Sequence, residues 1–144
     1  MSKQEINRCE VLEKQLSNYK LWADMVPKGS FFQNLRKIFS RTEWDIIRKA
    51  VYKKDGHICV ICGTENAKLE AHEEWNYIYR SSIQKLESIC SLCYWCHRNK
   101  HLGHSSILSR KGKLDLDKLI SHWAIVNKKP KFDFREYTNK VFDL

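Results

Sequence analysis

Proline and glycine are scarce in this chain of 144 residues, with 2 Pro and 5 Gly, and that scarcity excludes collagen-like and low-complexity proteins. No run of about 18 apolar residues occurs, so a transmembrane helix is not expected. Residues 1–10 contain no apolar core of the kind a secretory signal needs. No internal repeat is visible. Acidic side chains are in the minority: 17 Asp and Glu stand against 26 Lys and Arg, a formal charge of +9. The expectation is a soluble cytoplasmic protein suited to a polyanionic partner, since each neutralised phosphate releases condensed counterions. A merely soluble basic domain carries the same charge. At 42% hydrophobic residues the chain is not disordered, and its length can bury a core of its own.

Without an export signal, six cysteines do not read as a disulfide framework, because cytosolic thiols stay reduced. Their spacing points elsewhere. Cys59 and Cys62 form one C-x2-C pair, and Cys93 and Cys96 form another. Two such pairs predict a tetrahedral structural zinc site. Cys90 and Cys93 offer a shifted C-x2-C register, but Cys93 and Cys96 directly precede the helix expected to carry His97. Cys9 and Cys90 otherwise read as small apolar core residues.

Ile6, Cys9, Leu12, Leu16 and Tyr19 recur at near-helical spacing, predicting an amphipathic helix over 3–20 that packs on the domain or joins a homodimer. Pro27–Gly29 breaks the chain, and Phe31–Phe39 suggests a short helix. Thr42–Asp45 resembles a capping box opening a helix that runs to Lys54, where Asp55-Gly56 stops it. A short strand is expected into the first cysteine pair, and another over 68–72. An irregular aromatic stretch, 75–79, and a helical piece, 83–87, follow. A helix from His97 should end near Gly103, and a polar basic link should occupy 105–113. Two C-terminal helices are expected over 115–127 and 133–143. Composition divides the chain into a helical segment 1–55, a metal-binding core 56–104 and C-terminal helices 105–144, packed as one domain.

His97 and His101 stand four residues apart, so a helix would project both imidazoles from one face. His72 ends a predicted strand, and Glu73 follows it. A strand histidine meeting a helical pair makes a three-nitrogen metal site with positions left open for water and phosphate. Surface histidines on a zinc ribbon are the plainer reading of the same residues.

Cys59-x2-Cys62, then Leu69-Glu70-Ala71-His72-Glu73, then Leu92–His101 with its Cys93-x2-Cys96-His97-x3-His101, resembles the HNH endonucleases. The likeness extends upstream through 21–36 and 44–52, towards small bacterial and phage HNH proteins. The H-x3-H helix is also similar to that of the DNase colicins. The resemblance implies an α+β fold: a ββα-metal core braced by a four-cysteine zinc site and flanked by N- and C-terminal α-helices. It implies a metal-dependent endonuclease hydrolysing phosphodiester bonds in DNA, with RNA not set aside, leaving 5′ phosphate and 3′ hydroxyl ends. His72, His97 and His101 would hold a catalytic divalent metal (Mg2+, Mn2+, Ni2+ or Zn2+), with Glu73 as general base. Alternatively His72 is the base, and the metal falls to His97, His101 and Glu73. Most HNH enzymes have a second His where Glu73 stands. Ser88 occupies the place of the motif's Asn, and Tyr77-Ile78 that of a Tyr-Asp pair. Those departures give an alternative: an HNH-fold zinc module that binds nucleic acid without turnover, or docks to a larger nuclease or terminase. Arg80, Arg98, Lys100, Arg110, Lys111 and Lys113 are the expected phosphate contacts. Trp75, Tyr77, Tyr79 and Trp95 either stack on bases or fill the small core, whereas Trp22, Trp44 and Trp123 read as core.

Overall fold

The computed structural model describes residues 1–26, 34–81 and 83–142. Among these it holds six α-helices and one two-stranded antiparallel sheet. The elements are α1 (Lys3–Leu16), α2 (Arg41–Lys54), β1 (Leu69–Ile78), β2 (Ile83–Cys93), α3 (Tyr94–Lys100), α4 (Leu102–Arg110), α5 (Leu116–Asn127) and α6 (Asp133–Val141). None of the helices is long and apolar enough to cross a membrane. The chain divides into two compact units, Met1–Met25 with Trp95–Leu144, and Val26–Tyr94. These boundaries differ from the compositional ones at 55/56 and 104/105.

In the Val26–Tyr94 unit, Ser40 starts α2. Its hydroxyl accepts from the Glu43 N–H at 3.2 Å, and the Glu43 carboxylate accepts from the Ser40 N–H at 3.1 Å. The capping box is therefore Ser40–Glu43, two residues earlier than Thr42–Asp45, and it has the Glu that reaches back best. Asp55 caps the other end and accepts from the Ser91 N–H at 2.8 Å, tying α2 to β2. The helix lies against both strands. The strand expected before the first cysteine pair is absent, and 57–64 is a run of turns. There the Cys59 N–H donates to the Thr64 carbonyl and the Gly63 N–H donates to the Cys59 carbonyl. Gly63 has φ +76°, which a residue without Cβ adopts at no steric cost.

β1 extends through the aromatic stretch to Ile78, and 83–87 is strand, not helix. Ile83, Leu86 and Ile89 mimic a helical period, but they lie on a strand whose register pairs His72 with Cys90 and Ile78 with Ile83. Glu74 pairs with Ser88 and Trp75 with Leu86, so Glu87 is an extra residue in a β-bulge. That bulge breaks the two-residue alternation by which the strand would be recognised. Of the segment 31–39, residues 31–33 lie outside the described residues, as does the Pro27–Gly29 break. Leu35–Lys37 forms one 3-10 turn.

The other unit is helical and centres on Trp123, which is fully buried. Its ring centroid lies 4.9 Å from Tyr137, 5.2 Å from Phe134 and 5.7 Å from Tyr19. α1 stops at Leu16, short of residue 20, and buries Cys9, Leu12 and Leu16 while packing on α6. Burial, with the Glu13 charge second, pushes the Cys9 thiol above its ordinary value, as suits a core residue. Residues 21–25 are irregular yet bury Leu21, Ala23 and Met25. Four of their main-chain groups are bonded from outside the segment, as buried backbone requires. The Asn127 amide accepts from Leu21 N–H at 2.9 Å and donates to its carbonyl at 3.0 Å, and Asp24 N–H donates to the Lys100 carbonyl. The Ala23 N–H donates to the Tyr137 hydroxyl at 2.7 Å. Residues 105–110, expected as part of a polar link, are the end of α4, and Gly103 lies inside that helix.

Desolvation in this core raises the Tyr137 phenol well above the ordinary tyrosine value. A raised acid stabilises the fold in its protonated form, so this contribution is complete below about pH 10 and is lost as pH rises beyond that. Tyr137→Phe leaves the Ala23 N–H buried without its acceptor and is expected to cost about 1–3 kcal/mol in urea denaturation at neutral pH. The variant should also lose part of the alkaline sensitivity of the wild type.

Candidate metal centres

The two cysteine pairs reach one point from different local structures. Cys59 and Cys62 sit in the turn that Gly63 closes, Cys93 ends β2, and Cys96 lies in the first turn of α3. Their four Sγ atoms lie within 4.8 Å of one another, and Cys59, Cys93 and Cys96 are buried. The Sγ atoms of Cys62 and Cys93 are 3.7 Å apart. That is far too long for a disulfide, but it fits the edge of a tetrahedron with zinc–sulfur bonds of about 2.3 Å, which is about 3.8 Å. Four converging sulfurs are a donor set that could hold a structural metal ion, and soft thiolates in that geometry suit zinc. The shifted register is not used. Cys90 is buried with its thiol directed to the Glu74 carboxylate at 3.6 Å.

A second group forms from His72 on β1, His97 on α3 and His101 just beyond α3, with one ligand atom from each within 4.8 Å of the others. His97 and His101 keep the helical spacing read from the sequence, with ring centroids 4.9 Å apart. His72 and His97 are buried, whereas His101 is exposed, so one side of the group faces solvent. An exposed side is what a metal site needs if substrate is to take a coordination position.

Glu73 does not join that group. Strand alternation sends the side chains of His72 and Glu73 to opposite faces of β1, and a carboxylate oxygen of Glu73 accepts from the Leu35 N–H at 2.6 Å. Ser88 is likewise engaged, donating to the Glu74 carboxylate at 2.8 Å on the neighbouring strand. Among the basic residues, Arg80, Arg110, Lys111 and Lys113 are exposed and Arg98 is half-buried. Lys100 is a correction. It is 7% exposed, its ammonium lies 3.1 Å from the Asp24 carboxylate and 4.8 Å from the centre of the Trp22 ring, and it belongs to the core. Both partners come from the 21–25 segment, which local reading of α3 could not anticipate. Tyr79 is buried, while Trp75, Tyr77 and Trp95 are half-buried.

Sequence reasoning missed His122. It lies on α5, and its Nε2 is 3.1 Å from the Cys96 sulfur. Its position beside Leu119 and Trp123, on the flank of the buried stripe, is the only signal the sequence carries. Comparison with known proteins returns no match: no family model fits the chain, and no curated protein or solved structure is significantly similar to it.

Proposed function

We propose that this protein is a metal-dependent endonuclease of the HNH type, hydrolysing phosphodiester bonds in DNA. The observation that carries the reading is the grouping of His72, His97 and His101 beside a four-cysteine cluster, in the chain order strand, strand, helix. The charge of +9 supports a polyanionic substrate. His72, His97 and His101 would hold the catalytic cation through ring nitrogens, and their convergence favours this ligand set over one containing Glu73. When bound, a divalent cation supplies Lewis-acid polarisation of the phosphate and charge stabilisation on the leaving oxygen. The exposed edge at His101 admits the substrate, and Arg80, Arg110, Lys111 and Lys113 offer phosphate contacts that position the strand without reading bases. Glu73, which follows His72 in the motif's order, is the proposed acceptor of the proton from attacking water, a role that requires its carboxylate to leave the Leu35 N–H and turn towards the histidine group.

Glu73→Gln keeps an oxygen for the Leu35 N–H, so folding and metal content should match the wild type. Plasmid nicking in Mg2+, Mn2+, Ni2+ or Zn2+ should fall by about 10^2-fold or more if Glu73 is the base. Cleavage at the wild-type rate would remove Glu73 from that role. One specific observation favours a second reading, a nucleic-acid-binding zinc module without turnover: Glu73 and Ser88 are both engaged away from the histidine group. That reading gains if the wild type binds DNA in a salt-sensitive way yet nicks neither plain nor base-modified substrates with any of these metals.

A further inference from the structure

We propose that His122 is the outer-sphere partner of the four-cysteine centre, donating its Nε2–H to the Cys96 sulfur and shielding that sulfur from electrophiles. The inference rests on the cysteine cluster and is independent of the nuclease reading. His122 Nε2 lies 3.1 Å from the Cys96 sulfur, and with a cation bound that sulfur would be a thiolate without a proton, which makes the imidazole the donor. Four thiolates around one divalent ion leave a net charge of about −2. In a largely buried setting such excess charge is stabilised by N–H groups aimed at sulfur, as outer-shell partners of metal sites do.

The contact is built into the packing. Asn99, one turn beyond Cys96 on α3, donates its amide to the Leu119 carbonyl on α5 at 3.3 Å, and His122 follows Leu119 by one turn. Two polar links, each spaced by one turn on both helices, hold α5 in a single register against α3. Asn99 is fully buried and also donates to the Trp95 carbonyl at 2.9 Å, so its orientation is fixed. His122 is therefore brought to the sulfur by the docking of α5. Its effect on the centre is that of a positioning residue, since it is not one of the four sulfur ligands.

The test measures release of zinc to a chromogenic chelator under a fixed excess of a thiol-reactive mercurial or of hydrogen peroxide. Wild type, His122→Leu and His122→Gln are compared, with far-UV circular dichroism as the folding control. His122→Leu is expected to lose zinc on the order of tenfold faster. His122→Gln, whose amide N–H reaches a similar position, should recover most of the protection. With cobalt in place of zinc, wild type and His122→Leu should both give the charge-transfer spectrum of four sulfur ligands. Equal release rates for wild type and His122→Leu would overturn the proposal. So would a cobalt spectrum showing that His122 is itself a ligand. A readout on the wild type alone covers a leucine variant that fails to fold. In protein loaded with NMR-active cadmium, the His122 ring proton should show scalar coupling to the metal across the N–H···S bond, and absence of that coupling would count equally against the proposal.

Discussion

Cys59→Ser or Cys93→Ser is expected to impair metal binding at the four-cysteine cluster and abolish the cooperative unfolding of the Val26–Tyr94 unit. The physical reason lies in how little else organises 57–64. That segment is a run of turns held by main-chain hydrogen bonds such as Cys59 N–H to Thr64 carbonyl, and its side chains contribute few buried apolar groups apart from Cys59 itself. The hairpin that follows it is only two strands, and an isolated two-stranded sheet is marginal in water. Structural zinc contributes about 10–16 kcal/mol of apparent binding free energy in small zinc domains, as much as the whole stability of a typical domain, about 5–15 kcal/mol. Losing one thiolate should therefore be felt as loss of the folded state and not as a shifted midpoint. Metal analysis should find about one equivalent of zinc per four-cysteine centre in the wild type and much less in either variant. Thermal melts should lose the part of the sigmoidal transition that the Val26–Tyr94 unit contributes. A serine variant that melts like the wild type while metal-free would remove the metal from the account of this fold.

On the nuclease reading, His97→Ala should lower DNA nicking by about 10^3-fold or more while leaving metal binding at the four-cysteine cluster intact. A Lewis acid at the scissile phosphate contributes several kcal/mol to transition-state stabilisation, and about 4 kcal/mol corresponds to a factor of about 10^3. Removing one imidazole would leave two ring nitrogens to hold the proposed catalytic cation. His97 adjoins Cys96, so the metal count must be read beside the rate. Retained zinc with lost cleavage assigns the defect to the histidine group, whereas loss of both assigns it to folding. Under the binding-module reading, the same variant binds DNA as the wild type does and neither protein cleaves.

The four-cysteine cluster was legible in the residues, because its two halves are written in short-range spacing. Two C-x2-C pairs fix which sulfurs can converge, and the four-residue interval from His97 to His101 survives as adjacent rings although α3 ends between them at Lys100. The C-terminal helices were legible for the same reason: the Asp115 side chain caps α5 on the Lys118 N–H, and Lys128 turns left-handed where the helix ends. What failed depended on partners far away in the chain. Strand β2 looked helical because its bulge at Glu87 hides the alternation that only pairing with β1 defines. Lys100 looked like a phosphate contact because nothing near it on α3 announces Asp24 and Trp22. The contact that holds the Glu73 carboxylate was hidden in the same way, because the Leu35 N–H comes from 38 residues upstream.

Anomalous scattering from crystals soaked in excess Mn2+ or Zn2+ tests the central claim most directly. The account predicts two peaks per chain, one enclosed by the four sulfurs and a second within coordinating distance of the ring nitrogens of His72, His97 and His101. A single peak at the sulfurs, with the three imidazoles unliganded in excess metal, would contradict it.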